Sequence, residues 1–375
     1  MNRGFYLTLM MGGFNASPVP QIVIDALTEV QVTSSIGAQG GFQLKFTWGK
    51  NAPLAQLHAS GFFDPRQRVI IAVTVNGQTE VLMDGIITKQ DLAPSGQAGK
   101  STLSITGLDL TALMDFIDLT GILYPALPTF VIVEMVMAKY AVLGIVPIAI
   151  PPILSLIQNP IEQILKQVGT DYAYIKRLAS SASAMFYLDP GPTPGRSTAY
   201  WGPDITKLFG NVQGAISIDL DANTNLDSMS FSYDGTLAVN YLVTFIEPNT
   251  KLPIPVPLPS LDLVRMVYAA NAPTPLKYTQ LTPAASVNPV KTALDALGKM
   301  FDDPDVVTGS GSMDVLRYGQ VFKARQIAQV RGAGAYYDGK YYVKSVTHNI
   351  KRGEYKQNFT LARGGLGSTI STVSL

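Results

Sequence analysis

Residues 101–107, STLSITG, alternate without a break: Ser101, Leu103 and Ile105 on one side, Thr102, Ser104 and Thr106 on the other. Only an extended chain sends successive side chains to opposite faces, so the run predicts a strand with two different faces. The same period recurs. In 25–35, Val30 and Val32 oppose Glu29, Gln31 and Thr33. FYLTLMM at 5–11, GFQLKFT at 41–47 and RVIIAVTV at 68–75 are strand-like. An Asn-Gly turn then leads into TEVLMDGIIT at 79–88. The first 110 residues read as an all-β barrel or sandwich.

Beyond them the period changes. DLTALMDFI at 109–117 predicts a helix capped by Asp109. NPIEQILKQVG at 159–169 predicts another, with Asn159 as cap, Pro160 at the first helical position, a buried stripe of Ile161, Ile164, Leu165 and Val168, and Gly169 at its end. A third is expected from about Asp171, with Tyr174, Ile175 and Leu178 together, running into a strand at Met185–Leu188. After about 210 the β pattern resumes in AISIDLDA, SMSFSYDG and AVNYLVTFIEP, with a polyproline-like connector at 251–260, a helix near 290–301 and a last β block at 311–363. The reading is a β-rich α+β chain. A first β domain spans 1–112, a mostly helical insert 113–208, and a second β domain 209–375.

Residues 120–158 carry only Glu134 and Lys139 as charges. That is long enough to span a bilayer, but Pro147, Pro151 and Pro152 interrupt it, so it predicts one buried helix near 129–143 followed by an extended segment, and no membrane span. Phe130, Ile148 and Ile150 are its candidate contact residues. The amino terminus lacks a small-residue cleavage site and reads as a first strand, not a signal peptide.

With 375 residues, a net charge of +1 and 15% charged residues, the chain has room for two or three cores and no global attraction for nucleic acid or anionic membrane. So little charge suggests that much of the surface meets other subunits. The absence of cysteine excludes disulfides and thiolate chemistry, and two histidines, His58 and His348, leave little for zinc or a His-based triad. No residue stands out as catalytic, cofactor-binding or metal-ligating. Asp84-Gly85 reads as a turn or bulge, Asp302, Asp303 and Asp305 as a solvated helix end, Gly332-Ala333-Gly334 as a hairpin entry, and His348 as structural.

Residues 317–363 hold ten Lys and Arg against Asp338 and Glu354 alone. In EYKQNFTL, Tyr355, Gln357, Phe359 and Leu361 point one way and Glu354, Lys356, Asn358 and Thr360 the other. Lys340, Lys344, Lys351, Arg352 and Lys356 are the candidate interface or channel residues. A face of this kind is solvated, or meets DNA, or meets an acidic protein.

Three stretches, read together, resemble the phage late-control D family of tail baseplate hub proteins. They are 317–365, 170–190 with AYWGPD at 199–204, and 25–46 with MDGIITKQDL and STLSITGLDLTALMD. The resemblance implies two tube-like β-barrel domains per chain and a homotrimer, whose six barrels match a six-fold tail tube on one side and a three-fold spike on the other. It implies a structural role without cofactors. The implied partners are the tail tube or a tube-initiator protein, the spike, other baseplate (wedge) proteins, and DNA or cargo passing through a channel. It implies a place in the virion baseplate or an assembled injection particle, put together in the host cytoplasm. Type VI secretion spike proteins look related but continue into a further barrel and β-helix, so the spike is expected to be a separate chain. The enzymatic alternative is a carboxylate glycosidase acting on cell wall, which requires paired acids at a defined separation.

Overall fold

The computed structural model describes residues 4–97, 100–151, 164–204, 210–220, 223–246, 250, 253–257, 268–271, 273–281 and 305–369. Strand outweighs helix, 46% to 17%. The early strands are β1 (Phe5–Gly12), β2 (Ser17–Pro18), β3 (Leu27–Ser35), β4 (Gly41–Trp48), β5 (Arg68–Val75), β6 (Gln78–Ala93) and β7 (Ser101–Asp109). Two short helices, α1 (Gln21–Ala26) and α2 (Pro53–Ala59), interrupt them. The alternation is realised as expected. Val30, Val32, Phe42, Leu44, Phe46, Leu103 and Ile105 lie in one core with Leu9, Met11, Val69, Ile71 and Val73.

The next stretch packs around its own apolar cluster. A 3-10 helix, Leu110–Asp115, replaces the α-helix expected there, and Asp109 caps it by accepting from the Thr111 N–H at 2.9 Å. Then come β8 (Leu123–Tyr124), α3 (Thr129–Ala138), β9 (Ile145–Ala149), β10 (Leu165–Lys166), α4 (Asp171–Ser181), β11 (Met185–Pro190) and β12 (Ser197–Gly202). Ile132, Val133, Val136 and Met137 of α3 pack with Tyr174, Ile175 and Leu178 of α4 and with Trp201. Buried Asp171 holds the start of α4 in place. It accepts from Gln167 Nε2 at 2.7 Å and from the Tyr140 hydroxyl at 2.8 Å, and pairs with Lys139 at 2.6 Å.

The helix expected at 159–169 is not formed in its described part, 164–169; residues 159–163 lie outside the described residues. Leu165 and Lys166 pair with Tyr124 and Leu123, and the Gln167 N–H donates to Ile122 O at 2.8 Å. Main-chain bonds to a distant segment override the local capping signals.

The remaining strands are β13 (Ile216–Ser217), β14 (Ser228–Tyr233), β15 (Val239–Ile246), β16 (Pro253–Pro257), β17 (Lys277–Leu281), β18 (Val307–Asp314), β19 (Ile327–Arg331), β20 (Gly339–Lys351) and β21 (Glu354–Arg363). One-turn α5 (Val315–Tyr318) is capped by Asp314, which accepts from the Leu316 N–H at 2.8 Å. Pro253–Pro257, expected within a free-standing connector, pairs antiparallel with β15 as an edge strand, the one sheet position that tolerates missing donors. The helix expected near 290–301 lies outside the described residues.

Two compact units emerge, each discontinuous in sequence. The first comprises 1–203, 312–324 and 345–358; the second, 204–311, 325–344 and 359–375. In the first, the sheet runs β21–β20–β3–β4–β7–β6–β5–β1–β2, antiparallel from β20 to β2. The described pairings form an open path and do not close it. In the second, β14–β18–β21–β20 carries β19 and β13 at its side, and β16–β15–β17 forms a separate sheet.

Asp84, expected in a turn or bulge, sits in register opposite Ile70 and is buried. It forms a two-point ion pair with Arg68, Nε to Oδ1 at 2.8 Å and Nη2 to Oδ2 at 2.7 Å. Arg68 also donates to the carbonyls of Phe14, Leu143 and Gly195. A buried pair of this kind is costly to break from one side. Arg68→Met strands the carboxylate, and urea unfolding should show a loss of about 3–5 kcal/mol. Gly85 is required for close approach, because a Cβ there would overlap the Leu108 carbonyl of β7. Gly85→Ala should lose about 1–3 kcal/mol, whereas Gly96→Ala, with open space around it, should shift stability by less than about 0.5 kcal/mol. Equal effects at the two glycines would refute the packing argument.

Candidate functional site

The face of the first unit's sheet turned away from its core is built by register. Asn349, Gln31, Gln43 and Thr106 lie in one row across β20, β3, β4 and β7; Thr347 and Thr33 lie in the next. Gln31 Nε2 donates to Asn349 Oδ1 at 3.1 Å, and the Thr33 and Thr347 hydroxyls share a bond at 3.1 Å. A third row, Lys351–Glu29–Lys45–Ser104, carries the charge. Glu29 bridges both lysines, at 2.9 Å to Lys45 and 3.9 Å to Lys351. The result is a carpet of hydroxyl and amide groups whose charges, two lysines about one glutamate, lie at one end.

Three of the five basic residues singled out from sequence sit within ion-pair distance of an acid. Besides Lys351 with Glu29, Lys344 pairs with Asp305 at 3.4 Å and Lys356 with Glu354 at 3.6 Å. Arg352 donates to the Asp25 carbonyl, and half-buried Lys340 lies opposite Gln329. Exposed pairs of this sort add little stability, and each weakens the pull of its own lysine on a phosphate backbone. Two of the ten basic residues are not on a surface at all, since Arg325 and Arg363 are buried.

Of the apolar candidates, only Ile148 is exposed, at 41%. Phe130 is half-buried against the insert core, and Ile150 is half-buried with its N–H donating to Trp201 O at 2.8 Å. Five exposed apolar residues lie on the ribbon formed by β8 and β10 and its flanks, Ile117, Ile122, Leu123, Ile164 and Val168, and others, Met135, Val142 and Val146, lie on α3, just after it and on β9. Ile164 and Val168, expected inside a helical stripe, are therefore outside. Nothing local in the sequence marks this, because the ribbon is made by two segments about 45 residues apart.

His348 is buried in β20, its Nδ1 2.7 Å from the Tyr355 hydroxyl and 3.1 Å from Gln357 Nε2. Gln357 also ties to the main chain of Phe322, accepting from its N–H at 3.0 Å and donating to its carbonyl at 2.8 Å. Burial pulls the imidazole down to about 3 and pushes the Tyr355 phenol well up. His58 lies in van der Waals reach of Trp48, edge to face at 5.1 Å, with Nε2 2.8 Å from Gln90 Oε1. Among the described residues no group of three or more His, Cys, Asp or Glu could hold a metal ion; Asp302 and Asp303 lie outside them. No described helix is long and apolar enough to cross a membrane.

No protein-family model matches the chain, and no curated protein sequence does. Solved structures do. A tail protein from Neisseria meningitidis MC58 superposes with a TM-score of 0.61 at 14% identity, over 97% of this chain and 98% of that one. A 43 kDa tail protein of prophage MuSo2 from Shewanella oneidensis gives 0.59 at 12%, over 96% and 98%. The E. coli c3393 protein gives 0.55 at 12%, over 90% of this chain and 73% of its own. It is described as a component of the type VI secretion system, structurally similar to the bacteriophage T4 tail proteins gp27 and gp5. The chain shares the fold of these proteins over 90–97% of its length.

His348 gives a pH test with a definite sign. Its folded value, about 3, lies below the ordinary 6.5, so the unfolded chain takes up the proton first as pH falls. Stability is unaffected by this group above about pH 6.5 and falls below it by about 1.4 kcal/mol per pH unit. Urea midpoints measured at pH 7 and pH 5 should drop further for the native chain than for His348→Gln. Equal drops would mean that the imidazole is not held neutral.

Proposed function

We propose that the chain is a structural hub of a contractile phage tail or a related injection device: a homotrimeric adapter between a six-fold tail tube and a three-fold spike. The observation that carries this reading is the match of almost the entire chain to almost the entire length of two tail proteins, one of them from a prophage. A resemblance confined to one sheet would fit many β proteins; agreement through both units and the insert fits far fewer.

In this reading each chain supplies two tube-like modules, one from 1–112 and one from 209–375, with 113–208 inserted between them. Three chains then present six modules to the tube while keeping three-fold symmetry toward the spike. The hydroxyl and amide carpet around Gln31, Gln43, Thr33 and Thr347 faces the channel, where its lack of net attraction lets DNA or protein cargo pass without being held. Lys351, Arg352 and Lys356 lie at the charged margin of that surface, and Lys340 and Lys344 at subunit contacts. The exposed ribbon with Ile148 meets a neighbouring baseplate (wedge) protein. The hub sits in the virion or assembled particle and is put together in the host cytoplasm.

The mechanism is geometric, with no bond made or broken. The buried carboxylates Asp84 and Asp171 are each engaged by a cation, at 2.7 and 2.6 Å, which suits structure better than proton transfer to a sugar. Sedimentation or native mass measurement on the purified chain at micromolar concentration should find a species of three 40.3 kDa chains, alone or on addition of the tube protein. A monomer that persists with tube and spike proteins present would refute the adapter.

A further inference from the structure

Residues 332–338 join β19 to β20, and they are fixed from several directions. Gly332 has φ +88 and lies so close to Ile218 that a Cβ would overlap its carbonyl oxygen. The Ala333 N–H donates to the Asp338 carboxylate at 2.7 Å, and the Tyr341 hydroxyl donates to Tyr337 O at 2.7 Å. The Tyr337 ring stacks on Phe231, centroids 5.0 Å apart and planes at 17°. The Gly367 N–H donates to Tyr336 O at 3.0 Å. The main clamp is Arg363, only 1% exposed. Its guanidinium donates to Asp338 O at 2.9 Å and to Tyr336 O, and lies 4.5 Å over the Tyr341 ring.

A buried guanidinium is an expensive way to hold a surface loop, so the loop's shape matters. What that shape displays is one large side chain, Tyr336, 68% exposed. A rigid tyrosine with few rotamers to lose is a recurrent anchor of protein interfaces, because the ordering cost is met before binding. Exposed Arg331, half-buried Lys340 and the clamping Arg363 stand against a single acid, Asp338, in and around the loop. The local charge is therefore positive.

We propose that loop 332–338 is a preformed docking peg, with Tyr336 entering an apolar, acid-rimmed slot on another protein component of the particle. The proposal rests on the tail reading above. Nucleic acid fits less well: base stacking needs several free ring faces. Here the Phe231 and Tyr337 rings cover each other.

The test uses the full chain in particles produced from the complete set of tail genes. p-Benzoylphenylalanine is placed at position 336 and photo-crosslinked, and Tyr336→Ala competes with the native chain for incorporation. The expected result is a crosslink to a different protein component, next to Asp or Glu residues. Tyr336→Ala should be incorporated at least about tenfold less, by about 1.4 kcal/mol, with unchanged thermal unfolding, while Tyr336→Phe keeps most of the native level. Crosslinks only to copies of this chain or to nucleic acid, or equal incorporation of Tyr336→Ala, would overturn the peg alone. Absence of the native chain from the particles would overturn the tail reading and the peg with it.

Discussion

The first unit depends on the pairing of β3 with β20, from Ser35 opposite Ser345 to Glu29 opposite Lys351. It joins positions more than 300 residues apart, so the chain must close a very long loop before this contact helps it. Once made, it fixes register, and register fixes faces: a slip of one residue would turn Val30 and Val32 to solvent and Gln31 into the core. The apolar face of β3 continues through Phe42, Leu44, Leu103 and Ile105 on β4 and β7, and Ile350 completes it from β20. The polar face follows from the same register with no further design.

That pairing also accounts for the electrostatics. Counted along the sequence, the last β block has a large excess of positive charge. In the folded chain Glu29 answers Lys351, Asp305 answers Lys344, and two of the arginines are internal. On the outer face of β20, β3, β4 and β7, rows of hydroxyls and amides stand beside the charged row of Lys351, Glu29 and Lys45. Among the nonpolar residues that reach solvent, Ile117, Ile122, Leu123, Ile164 and Val168 lie on the β8–β10 ribbon and its flanks.

The strands were legible because period-two alternation is local and survives without context. β5 matches its expected bounds residue for residue, and β3, β4, β7 and β21 present the faces their sequences announce. The cap at Asp109 was equally readable, whereas the one on α4, Thr170, was not singled out. What failed was set by distant partners. Residues 164–169 carry helical signals but bond to 119–124. Asp84 resembles a turn residue until Arg68 is seen beside it. The acids that neutralise the basic strands, and the carbonyls that Arg363 holds, have no local signature. Tyr336 is one of many tyrosines in the sequence, and only the clasped loop distinguishes it.

The most direct measurement is a cryo-electron-microscopy map of the assembled particle at side-chain resolution. The account predicts three copies of the chain around the tail axis, with Gln31, Gln43 and Thr347 turned toward the lumen. Any other copy number, or that polar face turned away from the axis, contradicts it.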